Sequence, residues 1–165
     1  MNTLPAITAT VIFLAGVIDD LRSRKFHNWL FLTATAVAFT VMGVSDGWQG
    51  LLNGLAGFTA GMIVLLPLVL IKALGAGDMK LLAAAGTLLG WSVVIDVAIY
   101  SFVWGALFGL LQVILKRQLR TTVLNMIAIL TRKSKTQAIE LHTVPFTVGL
   151  FLGWLTHLVR IGAWS

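Results

Sequence analysis

Residues 63–80, IVLLPLVLIKALGAGDMK, contain an apolar run that stops at Gly75-Ala76-Gly77-Asp78 and gives way to a second apolar segment. The two glycines permit positive backbone angles and the close approach of another chain, and Asp78 stands at a helix start. An earlier apolar segment closes in the same way on Asp19-Asp20. These boundaries predict apolar helices that are joined by short polar turns.

The composition is that of an integral membrane protein. Of the 165 residues, 58% are hydrophobic and 11% are charged, and the mean hydropathy of +0.95 lies well outside the range of soluble globular domains. The length accommodates about six spans of roughly 20 residues each, with no sizeable domain beyond them. We therefore expect an all-α polytopic protein in which residues 1–165 form one transmembrane bundle.

Apolar periodicity and turn residues divide the chain into six predicted spans. They lie near residues 3 to 19, 28 to 44, 50 to 73, 79 to 92, 93 to 115 and 144 to 163. Small residues recur within them at helical spacing, which indicates close helix packing. Residues 119 to 130 follow a helical repeat flanked by basic residues, which predicts an amphipathic helix at the membrane interface.

The basic residues sort almost entirely to one side of this six-span arrangement. Eleven of the twelve Lys and Arg residues fall on one face, and only Arg160 falls on the other. The positive-inside rule makes the basic face cytoplasmic and places both termini outside. The formal charge of +6 is thus a topology signal, and we expect no nucleic-acid partner.

Four acidic residues, Asp19, Asp20, Asp78 and Glu140, fall on the same cytoplasmic side. One ionised and one protonated carboxyl group, a few ångströms apart, can activate water and protonate a leaving group without a metal or cofactor. Asp20 and Asp78 therefore predict an aspartyl protease. The plainer alternatives are an N-cap role for Asp78 and a solvated first loop with Asn28 as a helix cap.

Other chemistries have less support in the sequence. The absence of cysteine excludes thiolate metal sites and a cysteine nucleophile. His27, His142 and His157 are scattered along the chain, so we expect neither a metal site nor a Ser-His pair. Asp96 is interpreted as an interfacial acid with no partner that the sequence identifies.

Two motifs together resemble the type IV prepilin peptidase family. The first is Asp20-Leu21-Arg22, followed by a basic loop that closes on Asn28, eight positions after Asp20. The second is Gly75-Ala76-Gly77-Asp78-Met79-Lys80, and a last span opening with Val144-Pro145-Phe146 extends the resemblance to nearly the whole chain. A chain of this length without an extra domain is similar to the peptidases of tight-adherence pilus systems.

The resemblance implies a pilin-like precursor as substrate, no cofactor, and a location in the bacterial inner membrane with the active site at the cytoplasmic face. Methyltransferase activity is not expected, because the cysteine-bearing domain of the longer family members is lacking. Two departures are Phe26-His27, where the family commonly has Ile-Pro, and Asp19, which competes with its neighbour for the catalytic assignment. The implied catalytic residues are Asp20 and Asp78, with Gly75, Gly77, Lys80, Arg22 and Asn28 in support.

Helix dipoles suggest how the two acids share one proton. Asp20 lies at the C-terminal, negative end of its predicted helix, and Asp78 lies at the N-terminal, positive end of another. We therefore expect Asp78 to be the ionised base and Asp20 the protonated acid. Asp19 and Glu140 are predicted to join them in an acidic pocket that binds the basic leader of the substrate.

Two functions of other classes stay open at this point. A small ion-coupled transporter would use Asp20 and Asp78 to bind ions, and it predicts inverted repeats that the sequence does not convincingly show. A non-enzymatic pilus-assembly factor would leave both acids dispensable. A presenilin-like protease shares the Gly-x-Gly-Asp turn, but the first-loop pattern favours the prepilin group. The sequence does not determine the oligomeric state.

Overall fold

The computed structural model describes residues 3–23, 26–115 and 146–162. These residues form helices and turns without a strand, which confirms the all-α prediction. The amphipathic helix predicted near residues 119 to 130 and the candidate residue Glu140 lie outside the described residues. The helices are α1 (Thr3–Ser23), α2 (Asn28–Leu70), α3 (Ala76–Leu89), α4 (Trp91–Leu115) and α5 (Phe146–Arg160).

Helix α2 is broken at Gly47, whose φ of 58° and ψ of −138° are open chiefly to glycine. The halves on either side fold back on each other, because the rings of Phe39 and Phe58 are 6.3 Å apart. In a straight helix, residues this far apart in sequence would be separated by roughly 28 Å. The predicted turn between the second and third spans is therefore present, although it is shorter than residues 45 to 49.

The second half of α2 packs against α3 with its backbone in direct contact. A Cβ atom at Gly57 would overlap the carbonyl oxygen of Gly86, and one at Gly61 would lie 2.7 Å from the Cα of Ala83. Side chains larger than hydrogen at these positions would force the helices apart. The small-residue spacing thus serves bundle packing, as predicted, and every residue of α3 from Asp78 to Leu89 except Lys80 is buried.

Helix α5 is fixed between α1 and α4. The Trp154 side chain is fully buried, its ring is 6.2 Å from that of Phe13, and its Nε1 donates a hydrogen bond of 2.9 Å to Thr10 Oγ1. On the other side of α5, a Cβ atom at Gly153 would lie 2.7 Å from the Val97 carbonyl oxygen. These contacts fix the N-terminal end of α5 beside the C-terminal end of α1.

Large apolar side chains cover the outside of the bundle as well as its core. On α1, the buried face carries Ile12 and Phe13, while the opposite face exposes Ile7, Val11 and Leu14. An exposed apolar stripe of this kind suits lipid rather than water. The chain is therefore a membrane protein. Within residues 3–23, 26–115 and 146–162, three helices are long and apolar enough to cross a membrane: Thr3–Ser23, Asn28–Leu70 and Trp91–Leu111.

Candidate active site at the junction of three helix ends

A cavity of about 360 Å³ lies where α1 ends and where α3 and α5 begin. Both Asp20 and Asp78 line this cavity, although they are far apart in sequence. The structure therefore brings the two predicted catalytic residues together, and Asp20 is near enough for its charge to act on Asp78. The remaining lining residues are Phe26, Gly75, Ala76, Gly77, Lys80 and Thr147.

Asp78 is held by the turn that precedes α3. Gly75 is the N-cap residue of the helix, so Asp78 occupies the third helical position and not the N-cap that the plainer alternative gave it. Its own backbone N–H donates to the Gly75 carbonyl oxygen at 3.2 Å, and the Gly75 N–H hydrogen-bonds to the Asp78 carboxyl group. This return contact is half of a capping box, and it fixes the carboxyl group at the cavity wall.

Asp78 is only 8% exposed, just ahead of the predicted span 79 to 92. Burial, and then the negative charge of Asp20, raise the pKa of Asp78 from 3.8 to about 7, while the Gly75 hydrogen bond lowers it in part. Desolvation disfavours the charged form of a carboxyl group. Burial therefore opposes the expectation that Asp78 is the ionised member of the pair.

Asp20 lies in the last turns of α1, which continues to Ser23 and not only to residue 19 as predicted. Its carboxylate Oδ2 accepts a hydrogen bond of 2.7 Å from Thr147 Oγ1, and Thr147 is 2% exposed. The sequence interpretation did not select Thr147. The available signal was its position two residues after Pro145, at the start of the last predicted span.

Asp19 points away from the cavity toward His27. The His27 backbone N–H donates to Asp19 Oδ2 at 2.9 Å, and the ring Nδ1 lies 2.9 Å from Oδ1. The two departures from the family pattern, Asp19 and His27, are therefore partners of each other. This pairing occupies Asp19 and leaves Asp20 as the α1 acid that lines the cavity.

Asn28 is the first residue of α2, and His27 is the N-cap residue, so the proposed capping role of Asn28 is wrong. The Asn28 side chain instead accepts a hydrogen bond of 2.7 Å from Lys80 Nζ, which also lies 5.8 Å from the centre of the Phe31 ring. This contact joins the start of α2 to the start of α3. The ammonium group of Lys80 is thereby held at the cavity wall.

The two glycines of the α3 turn have different surroundings. A Cβ atom at Gly77 would lie 2.8 Å from Phe26 Cβ, so this glycine allows the first loop to cross closely over the start of α3. A Cβ atom at Gly75 would lie 3.4 Å from the Asp78 carboxylate. Arg22, the remaining predicted supporting residue, is exposed and does not line the cavity.

Asp96 has partners at the opposite end of the bundle, where α4 begins and α5 ends. Its Oδ2 lies 3.4 Å from His157 Nδ1 and 3.7 Å from Arg160 Nη1. Arg160 also donates a hydrogen bond of 2.6 Å to the Tyr100 hydroxyl oxygen. Within residues 3–23, 26–115 and 146–162, no group of three His, Asp or Glu side chains is placed to ligate a metal.

Fold and site together define a helical membrane protein with two carboxyl groups in one cavity at the meeting point of three helix ends. The model of the type IV leader peptidase family matches residues 6–110, more than half of the chain, and the chain belongs to this family. The resemblance inferred from the sequence is confirmed. Comparisons with curated proteins and with solved structures give no significant match.

Proposed function

We propose that the protein is a membrane aspartyl endopeptidase that removes the short basic leader from pilin-like precursors. The observation that carries this proposal is the shared cavity of Asp20 and Asp78. Membership of the leader peptidase family supports the peptidase activity and the class of substrate. The enzyme is proposed to need no cofactor and to have no methyltransferase activity.

The proposed reaction needs one proton on the carboxyl pair. The ionised carboxylate takes a proton from water as the water oxygen bonds to the scissile carbonyl carbon, while the protonated partner gives its proton to the carbonyl oxygen. The C–N bond then breaks, the first carboxyl gives its proton to the amine, and the new hydroxyl returns a proton to its partner. The products are a carboxylic acid and an amine, and the pair is restored.

We place this chemistry at the cytoplasmic face of the bacterial inner membrane. The one-sided distribution of Lys and Arg supports six spans with both termini outside. The break of α2 at Gly47 supports the count, since it divides the long helix into two antiparallel halves. Helix α3, at 14 residues, is roughly 21 Å long, which would recess the Asp78 end below the headgroups of a bilayer with a core of about 30 Å.

A basic leader must approach a face that is itself basic. The negative charge of the Asp20 and Asp78 pair lowers the local positive charge, and the Lys80 ammonium group at the cavity wall donates to Asn28. Asp19 and Glu140 are proposed to extend this acidic pocket. Because His27 engages both carboxylate oxygens of Asp19, we expect Asp19 to contribute the smaller share.

The test is to co-express pilin precursors with wild type, Asp20→Asn or Asp78→Asn and to sequence the pilin N-termini. Asparagine keeps the shape of each side chain but neither ionises nor donates an acidic proton, so processing should stop in both variants. Normal membrane insertion is the control. Processing that persists in both variants would overturn the proposal in favour of an assembly factor. If wild type takes up ions into vesicles and both variants abolish that uptake, the result would indicate the transporter instead.

A further inference from the structure

The cavity contains a buried hydroxyl that the proposed reaction has not yet used. Thr147 Oγ1 donates to Asp20 Oδ2 at 2.7 Å across 127 residues of sequence, and its side chain is 2% exposed. Other helical threonines of this chain, including Thr10, Thr40 and Thr87, donate to the carbonyl oxygen four residues earlier in their own helix. The Thr147 hydroxyl instead bridges two helices at the reacting groups.

We propose that Thr147 is a positioning residue that makes Asp20 the ionised member of the pair and directs the second oxygen of that carboxylate toward the attacking water. The inference rests on the proposed peptidase function. It reverses the assignment that the helix dipoles of α1 and α3 predict, and it gives Asp78 the role of the protonated acid.

The Thr147 hydroxyl is a hydrogen-bond donor to Asp20 Oδ2. A hydroxyl that donates to a carboxylate stabilises the charged form of that carboxylate, and such charge-assisted bonds are roughly twice as strong as neutral ones. The bond also occupies Oδ2 and fixes the plane of the carboxyl group. Oδ1 is then the oxygen available to accept a proton from water.

The start of α5 is also expected to lie beside Asp20. Thr147 follows Pro145 by two residues, and proline favours the first turn of a helix, so the positive end of the α5 dipole is expected near Asp20. This end opposes the negative end of α1, which alone would favour protonation of Asp20. The dipoles of α1 and α3 alone leave out this contribution of α5.

The two acids also differ in burial. Asp78 is 8% exposed, whereas Asp20 is half-buried, so water reaches the Asp20 carboxyl group more readily. Among the described residues, the titratable side chains that line the cavity are Asp20, Asp78 and Lys80. Lys80 donates to Asn28, and within the same part of the chain the Thr147 hydroxyl is the side-chain donor to the Asp20 carboxylate.

Kinetics of purified Thr147→Val and Thr147→Ser against a pilin-precursor peptide test the role of the hydroxyl. Valine keeps the shape without the donor, so kcat should fall by about 10- to 100-fold, and the acidic limb of the pH profile should move about one to two pH units upward. Serine restores the donor and should recover most of the rate and the original profile. Thr87→Val, a buried threonine bonded within α3, is the matched control and should behave as wild type.

A uniform loss of rate in Thr147→Val with an unchanged pH profile, or a serine variant as impaired as the valine variant, would overturn the inference. Either result would leave Thr147 a structural role alone. Both variants are compared by membrane insertion and thermal stability, so a folding defect is recognised as such.

Infrared spectroscopy of the protonated carboxyl band gives a readout without substrate. At about pH 6, Asp78→Asn should lose the cavity contribution to this band and Asp20→Asn should retain it. In the Asp78→Asn background, adding Thr147→Val should raise the pH at which the remaining cavity carboxyl group, that of Asp20, ionises. Three results would overturn the assignment: loss of the band in Asp20→Asn alone, loss in both variants, or loss in neither. Each would do so even if the wild type cleaved no precursor. Failure of the wild type to cleave would count separately against the peptidase proposal.

Discussion

The two ends of the helix bundle both contain acidic and basic side chains, but they pair them in opposite ways. At one end, Asp96 lies within 3.7 Å of Arg160 and 3.4 Å of His157, so the acid faces basic groups. At the other end, Asp78 faces Asp20, and the ammonium group of Lys80 donates to Asn28. An acid with basic partners is suited to holding helices together, whereas two acids in one cavity share a proton and are suited to catalysis.

The largest expected contrast is between Asp78→Asn and Asp96→Asn in precursor cleavage. Loss of a general acid or base typically costs about 10²- to 10⁴-fold in rate, and we expect a loss of this order at Asp78. Asp96→Asn keeps the shape of a side chain that is far from the cavity, so cleavage should stay close to wild type. The measurement is the initial rate of processing in membranes with matched enzyme levels. Equal losses in the two variants would remove the functional distinction between the ends.

The second contrast is in the pH dependence of stability. The pKa of Asp78 is raised from 3.8 to about 7 by burial, so the native protein binds this proton more tightly than the unfolded chain does. The resulting stabilisation is fully present below the unfolded value of 3.8 and is lost as pH rises through about 7, a change on the order of 4 kcal/mol.

Thermal unfolding in detergent at several pH values checks this expectation. Wild type and Asp96→Asn should lose stability between about pH 4 and pH 7 as the Asp78 carboxyl group ionises. Asp78→Asn lacks this carboxyl group, so its stability should not fall for this reason over the same range. The same slope in Asp78→Asn as in wild type would show that Asp78 is not the group that holds the proton.

A third contrast is between the basic side chains at the two ends of the bundle, Lys80 beside the cavity and Arg160 beside Asp96. The variants Lys80→Met and Arg160→Met test it. Lys80→Met removes the donor to Asn28 and loosens the junction of α2 with α3 beside the cavity. We expect a decrease in kcat/KM of about 5- to 10-fold, the usual effect of one hydrogen bond. Arg160 is 64% exposed, and its replacement should leave kcat/KM unchanged, because exposed ion pairs contribute little. An effect of Arg160→Met as large as that of Lys80→Met would contradict this comparison.

The smallest effect is expected at Asp19. Asp19→Asn keeps one acceptor oxygen for His27 and removes a charge that lies outside the cavity lining. Partly exposed pairs of this kind contribute about 0.2–1 kcal/mol, so KM for a basic-leader peptide should change by a few-fold at most. Titration of the peptide with the variant and with wild type measures the change. A rise in KM of about tenfold or more would make Asp19 a substrate-binding acid in its own right.

The sequence was sufficient to predict the all-α architecture and the family, because apolar runs and the acids at their ends follow from local pattern. It also selected Asp20 and Asp78 as a pair. The proton arrangement that we propose could not be predicted from α1 and α3 alone. The proposal rests on the burial of Asp78 and on the contact of Thr147 with Asp20, and both arise only from tertiary packing.

The sequence could not predict contacts between residues that lie far apart along the chain either. Thr147 is marked only by its position two residues after Pro145, and threonine is common at helix starts. Asp96 lacked an identifiable partner in sequence, although His157 and Arg160 lie beside it after folding. The pairing of Asp19 with His27 required the course of the first loop, which returns the chain to α1 after eight residues.

The glycine seam between α2 and α3 matters to the site from a distance. Gly57 and Gly86 bring two backbones into direct contact, and neither residue lines the cavity. Helix α3 also packs against α1, where a Cβ atom at Gly16 would lie 2.7 Å from Leu81 Cδ1. A larger side chain in the seam would therefore displace the helix that carries Asp78 relative to the helix that carries Asp20, so the spacing of the two acids depends on glycines that touch neither of them.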